Sequence, residues 1–196
     1  MSARRPRKLR SPLALIVLGL LAEQPLHPYA MRQRISERAH DRLPGVRLAS
    51  LYDVVHRLTD AGLVSPGESS RQEGRPERVS YVITGAGREA LTGWVAQSLE
   101  DPASAEEFPV AVSFMYVLGP DRVGETLRAR AHALSESITV DEAALAGAER
   151  GGVAPIFLSE HRYQLALRRA ERDWVLAFTE AIRTGALKFP DAQEGT

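Results

Sequence analysis

Asp53, His56 and Arg57 lie within one helical turn of each other, on the polar side of a segment whose other side is Leu48, Leu51, Val55 and Leu58. Side chains of these types on one helix face can read base edges in a DNA groove. The carboxylate accepts from cytosine N4, and the guanidinium donates to guanine O6 and N7 or to a phosphate. An aspartate in that place can also serve only to reject wrong sites, and the same face, continued by Ala49 and Asp60, also suits a plain solvated helix. Other basic residues are placed to neutralise phosphates or enter a minor groove: Arg75 and Arg78 in a turn-rich stretch, and Arg4, Arg5, Arg7, Lys8 and Arg10 at the N-terminus.

Other chemistries lack their residues. With no cysteine there is no disulfide framework, cysteine zinc site or thiol nucleophile, and the five histidines show no metal-binding spacing, so no metal and no cofactor is expected. Lys8 and Lys188 are the only lysines and neither follows a glycine, which excludes the phosphate-binding loop of nucleotide hydrolases. A Gly-x-Ser-x-Gly elbow is also missing. Gly85-Ala86-Gly87-Arg88-Glu89-Ala90 matches the G-x-G-x-x-A dinucleotide fingerprint, but the strand before it alternates and only one strand-helix unit is visible. A nucleotide-binding oxidoreductase is thus a remote alternative, and the chain is read as a non-enzyme.

The elements that must position the polar face follow from punctuation and periodicity. Ser11-Pro12 reads as a helix cap with proline in the first turn, opening the apolar run Leu13 to Ala22. That run is too short to span a bilayer, and with no small-x-small cleavage site after it, it reads as a buried first helix behind a basic arm instead of a signal peptide. His27-Pro28 opens a second helix to about Ala39. After the Pro44-Gly45 turn a third runs from about Leu48 to Ala61, with Gly62 just past its end. Leu63 to Pro66 and Val79 to Ile83 read as a strand pair around a polar turn, and Thr84 caps a fourth helix to about Leu99. Three helices, a hairpin and a helix make a winged helix-turn-helix, in which helix three enters a major groove and the hairpin reaches the adjacent backbone.

At 196 residues the chain can bury roughly 70% of its unfolded surface without staples. Its net charge of zero divides unevenly: residues 1–100 hold 15 Arg and Lys against 10 Asp and Glu, and residues 101–196 hold 10 against 15. A basic half joined to an acidic half fits one module for a polyanion and another for protein or small molecules. The acidic half is helical. Phe108 to Leu118 is apolar, Pro120-Asp121 opens a helix to about Glu149, and a last helix runs from about Ile156 to Thr184. On it Tyr163, Leu167, Ala170, Trp174, Phe178 and Ala181 form a heptad-like stripe, with Leu158, Leu165 and Leu176 on the far side. One stripe can pack at home and the other on a second copy; a helix buried in a monomeric bundle is the alternative. Trp94, Phe114 and Trp174 are candidates for lining an effector pocket, although core packing explains the same aromatics.

The first ninety residues resemble the PadR family of transcriptional regulators. The likeness is carried by Ser11-Pro12-Leu13-Ala14-Leu15, Gly19-Leu20-Leu21, His27-Pro28-Tyr29, Ser50-Leu51-Tyr52, Arg57-Leu58, Gly62-Leu63-Val64, Glu73-Gly74-Arg75-Pro76, Tyr81, and Thr84 with Ala86-Gly87-Arg88-Glu89-Ala90-Leu91. The resemblance implies a homodimeric, cytoplasmic, ligand-responsive regulator of double-stranded operator DNA, usually a repressor, with Tyr29, Ser50 and Tyr52 near the DNA backbone and the wing arginine on phosphate. Asp53 stands where proline is usual in the family and His56 where lysine is usual, so no operator sequence carries over. The expected architecture is mainly α: a basic arm (1–10), a winged helix-turn-helix with a two-stranded wing (11–100) and a helical dimerisation domain (101–196). A winged-helix module that binds protein and not DNA is the main alternative.

Overall fold

The computed structural model describes residues 9–70 and 78–189. Helix α1 (Pro12–Glu23) starts as its sequence dictates: Ser11 Oγ accepts from the Ala14 amide at 3.2 Å, and Pro12 occupies the first turn. Ten consecutive residues from Pro12 to Leu21 are buried, so α1 is apolar on all sides and serves as the axle of its unit. Helix α2 (Pro28–Glu37) is capped by His27, whose Nδ1 accepts from the Ala30 amide at 3.0 Å, and it buries Met31 and Ile35. It ends two residues before Ala39, the limit expected from the sequence, because Ala39 takes a left-handed conformation (φ 54°).

The third helix also differs from expectation at its start. Leu48–Ser50 winds as a 3-10 turn, and helix α3 (Leu51–Asp60) follows it. Strands β1 (Val64–Ser70) and β2 (Arg78–Ile83) pair antiparallel, with the register shifting between Pro66 and Ser69. The wing gains an isolated antiparallel bridge that the sequence did not announce: Leu26, between α1 and α2, exchanges both backbone hydrogen bonds with Tyr81, at 2.9 and 3.2 Å.

Helix α4 (Gly85–Glu100) is capped by Thr84, whose Oγ1 accepts from the Gly87 amide at 3.0 Å. A Cβ on Gly87 would sit 2.1 Å from the Leu63 carbonyl oxygen. The glycine therefore serves a close backbone approach within the wing, which accounts for the dinucleotide lookalike without any phosphate.

Helix α5 (Phe108–Phe114), a 3-10 turn to Leu118, α6 (Pro120–Arg150) and α7 (Ser159–Arg183) complete the chain. The last helix begins as the 3-10 turn Pro155–Leu158 and becomes α-helical only at Ser159. Two compact units result. One holds the described residues through Ser98 together with Ser104–Val117, the other Leu99–Ala103 with Leu118–Phe189. A division at residue 100 would put α5 in the second half, whereas its contacts are with α1. In the second unit α6 and α7 run antiparallel, clasped by Arg162 to Glu149 at 2.7 Å and Arg169 to Glu142 at 2.6 Å.

Candidate nucleic-acid interface

Helix α3 has two chemically distinct sides. Leu51, Val54, Val55 and Leu58 are buried, while Tyr52, Asp53 and His56 are exposed, Tyr52 at 57%. The burial pins the helix to α1 and α2, so its outer side chains are held by a rigid element. Asp53 lies in the first turn, where a carboxylate favours the positive end of the helix dipole. Arg57 is half-buried, and its Nε donates to the Asp53 carbonyl oxygen at 3.3 Å. Ser50 is half-buried at the start of the helix, and its side chain makes no capping bond. Tyr29, in the first turn of α2, is 63% exposed, with its ring 6.2 Å from that of His27.

The arm and the wing fare differently. Arg5, Arg7, Lys8 and Arg75 lie outside the described residues, as does the side chain of Arg78. Arg10, expected in a free basic arm, is instead engaged within the first unit. Its Nε donates to Glu107 at 2.7 Å, one terminal nitrogen donates to Ser98 Oγ at 2.7 Å, and the other meets Gln97. A guanidinium committed to a half-buried carboxylate is held by its own domain, and it ties the start of α1 to α4 and to the residue before α5.

Behind the interface a polar network joins the C-terminal end of α2 to α1 and to the segment after α5. Arg38 makes a bidentate pair with Glu23, both bonds 2.7 Å, and the Tyr116 hydroxyl donates to Glu23 at 2.9 Å. Burial pushes the Glu23 carboxyl up, but the hydrogen bonds from Arg38 and Tyr116, with the positive charge of Arg38 and Arg34, outweigh it and leave the pKa lowered. Burial and the bond to Glu23 raise Tyr116. His40 is buried with its ring 5.6 Å from Phe114 and its Nδ1 without a partner; burial and then the Arg38 charge lower its pKa.

In the second unit Leu158 and Leu165 are buried, whereas Tyr163, Leu167 and Trp174 are exposed, as is Ala170, with Phe178 half-buried. Trp174 stacks on Phe178 at 4.8 Å. Leu176 departs from its expected stripe: it is 49% exposed, because the buried line of α7 runs through Leu165, Val175 and Thr179. The three aromatics expected at an effector pocket divide between the two units. Phe114 is fully buried in the first unit, Trp94 is half-buried on α4, and Trp174 is exposed on α7. A cleft of about 580 Å³ in the second unit is lined by Gly124, Arg128, Thr179 and Ile182, and by none of the three.

Sequence reasoning missed Arg130, a fully buried guanidinium that donates to Glu171 at 2.6 Å and to the Asp101 carbonyl oxygen at 2.8 Å. The signal was present. Arg130 sits among Leu127, Ala131 and Leu134 at helical spacing, where a charge must be paired if it is to be buried.

Residues 17–93 match the model of the transcriptional regulator PadR-like family. Among solved structures the chain is similar to the PadR of Bacillus subtilis in complex with operator DNA, at 17% identity over 87% of this chain and 98% of that one, with a TM-score of 0.41. It is similar to the same protein in complex with p-coumaric acid, at 17% identity over 88% and 99%, TM-score 0.37. A PadR-like transcriptional regulator from Bacillus cereus aligns at 19% identity over 93% and 99%, TM-score 0.38. No curated protein matches the chain.

Proposed function

We propose that this chain, whose residues 17–93 are a PadR-like family domain, is a sequence-specific DNA-binding transcriptional regulator that works as a homodimer. The observation that carries the reading is the two-sided α3. Four apolar side chains fix the helix in the core of its unit, while Tyr52, Asp53 and His56 face outward on the second helix of a helix-turn-helix. In that placement Asp53 and His56 reach base edges, Tyr29, Ser50 and Tyr52 meet the sugar-phosphate backbone, and the β1–β2 wing, with Arg75 and Arg78, lies along the adjacent backbone.

The stripe of exposed Tyr163, Leu167, Ala170 and Trp174, with half-buried Phe178 beside it, supports assembly with a second copy. A dimer presents two recognition helices to half-sites about one helical turn of DNA apart. Seated on a promoter, such a dimer represses by occupancy. A small effector acts by binding the DNA-competent and DNA-incompetent arrangements with different affinities.

Fluorescence anisotropy on the duplex upstream of the protein's own gene and on a scrambled duplex, over roughly 50 to 300 mM salt, tests the reading. Tight binding that prefers the native duplex, with a steep salt slope, is the expected result. An absence of binding to either duplex at the lowest salt overturns it.

A further inference from the structure

The arginines of the first unit sort into two groups by what they touch. Arg10, Arg34 and Arg38 meet carboxylates, and Arg57 and Arg88 donate to backbone oxygens. Arg32, Arg42 and Arg47 are exposed, and among the described residues they carry no hydrogen bond and no ion pair. All three fall within residues 32–47, between the outer face of α2 and the turn that opens α3.

Their positions in the chain adjoin the residues proposed above to meet the DNA backbone. Arg32 is exposed on α2, three residues after Tyr29 and about 60° from it around the helix, with buried Ile35 an equal angle away on the other side. Arg47 is the extended residue immediately before the 3-10 turn Leu48–Ser50, three positions before Ser50 and five before Tyr52. Arg42 closes the 3-10 turn His40–Arg42 that links α2 to this stretch.

We propose that Arg32, Arg42 and Arg47 are the phosphate anchors of the domain, each neutralising one phosphate of duplex DNA without reading sequence. A guanidinium with no partner in the free protein gives up no internal bond when it meets a phosphate, whereas Arg38 would first have to leave Glu23 and Arg10 to leave Glu107. The anchoring charge of this group then lies on α2 and in the connection from it to α3. This inference rests on the DNA-binding reading above.

The test measures salt dependence in the full chain carrying Arg32→Gln, Arg42→Gln and Arg47→Gln singly and together, on the native and scrambled duplexes. Each neutralised phosphate contributes about 0.9 to the slope of log K against log salt, and a homodimer carries each arginine twice, so each single variant should flatten it by about 1.8 and the triple by about 5.4. Affinity should fall equally on both duplexes, leaving their ratio unchanged. Arg150→Gln, which removes another exposed guanidinium, at the end of α6, that carries no hydrogen bond or ion pair among the described residues, should leave the slope as it was.

Replacing all three by lysine should keep the slope, which separates lost charge from lost fold. A triple glutamine variant with the wild-type slope overturns the proposal, as does a selective loss on the native duplex. Failure of the wild-type protein to bind either duplex instead overturns the DNA-binding reading on which it rests.

Discussion

The phenyl ring of Phe114 lies where a side chain on Gly19 would have to be: a Cβ built there falls 2.3 Å from Cδ1 and 2.4 Å from Cε1 of the ring. The glycine is what lets α5 close on α1, and Phe114 in turn is completely buried. Gly19→Ala should therefore cost about 2–3 kcal/mol in urea unfolding despite alanine's better helix propensity, since an aromatic ring in a packed core has nowhere to retreat. Adding Phe114→Leu should recover part of the loss. Additive effects of the two substitutions would argue against this contact as the cause.

The buried histidine of the first unit makes stability depend on pH in a defined window. Burial, then the Arg38 charge, holds His40 below its ordinary value of 6.5, so the unfolded chain takes up a proton near that pH while the folded chain does not. The unfolded state then binds more protons, and stability falls as pH drops below 6.5 until the folded-state value is reached. Urea midpoints measured between about pH 8 and pH 5 should show this decline, and His40→Leu, which also removes the unpartnered Nδ1, should remove the decline over that range. An undiminished slope in the leucine variant would assign it to other groups.

Much of the first unit could be read from local chemistry. The Ser11 and Thr84 caps, the prolines in the first turns of α1 and α2, and the alternating β2 are decided within a few residues, and each forms. What could not be read were pairings between distant residues. Arg10 looks like part of a basic arm, and only the fold brings Glu107 to it across 97 positions. The apolar run from Phe108 announces burial but not the surface that buries it, so its membership in the winged unit emerges only when Phe114 meets Gly19. At the candidate interface, periodicity found the outer face of α3. The unpaired state of Arg32, Arg42 and Arg47 depends on which carboxylates the fold places out of reach.

Arg130 and Glu171 should respond unequally to removal of either partner. The Arg130 side chain is wholly buried and Glu171 is 31% exposed. Glu171→Ala strands a cation in the core of the second unit, at a cost of about 3 kcal/mol, while Arg130→Met fills the same space with apolar atoms and leaves a carboxylate that water can reach. The methionine variant should therefore be the more stable of the two in chemical denaturation. The opposite order would mean that the Arg130 bond to the Asp101 carbonyl, and not the ion pair, carries the stability.

The exposed stripe on α7 separates interface from core by a stability criterion. Trp174 is 44% exposed and Leu167 48%, so replacing either with glutamate removes little burial from the protomer itself, whereas Val175→Glu puts a charge into a fully buried site. If the stripe is where two copies meet, Trp174→Glu should weaken association by 2 kcal/mol or more, about 30-fold, because a stacked tryptophan at the centre of an interface is the usual anchor. Sedimentation equilibrium should then show monomer where the wild-type protein is dimeric, with an unchanged thermal melt at matched monomer content, and affinity for a two-half-site duplex should drop with it. Val175→Glu should lower the melt itself. A Trp174→Glu protein that stays dimeric would move the assembly surface elsewhere, and one that unfolds would make the stripe part of the protomer's own core.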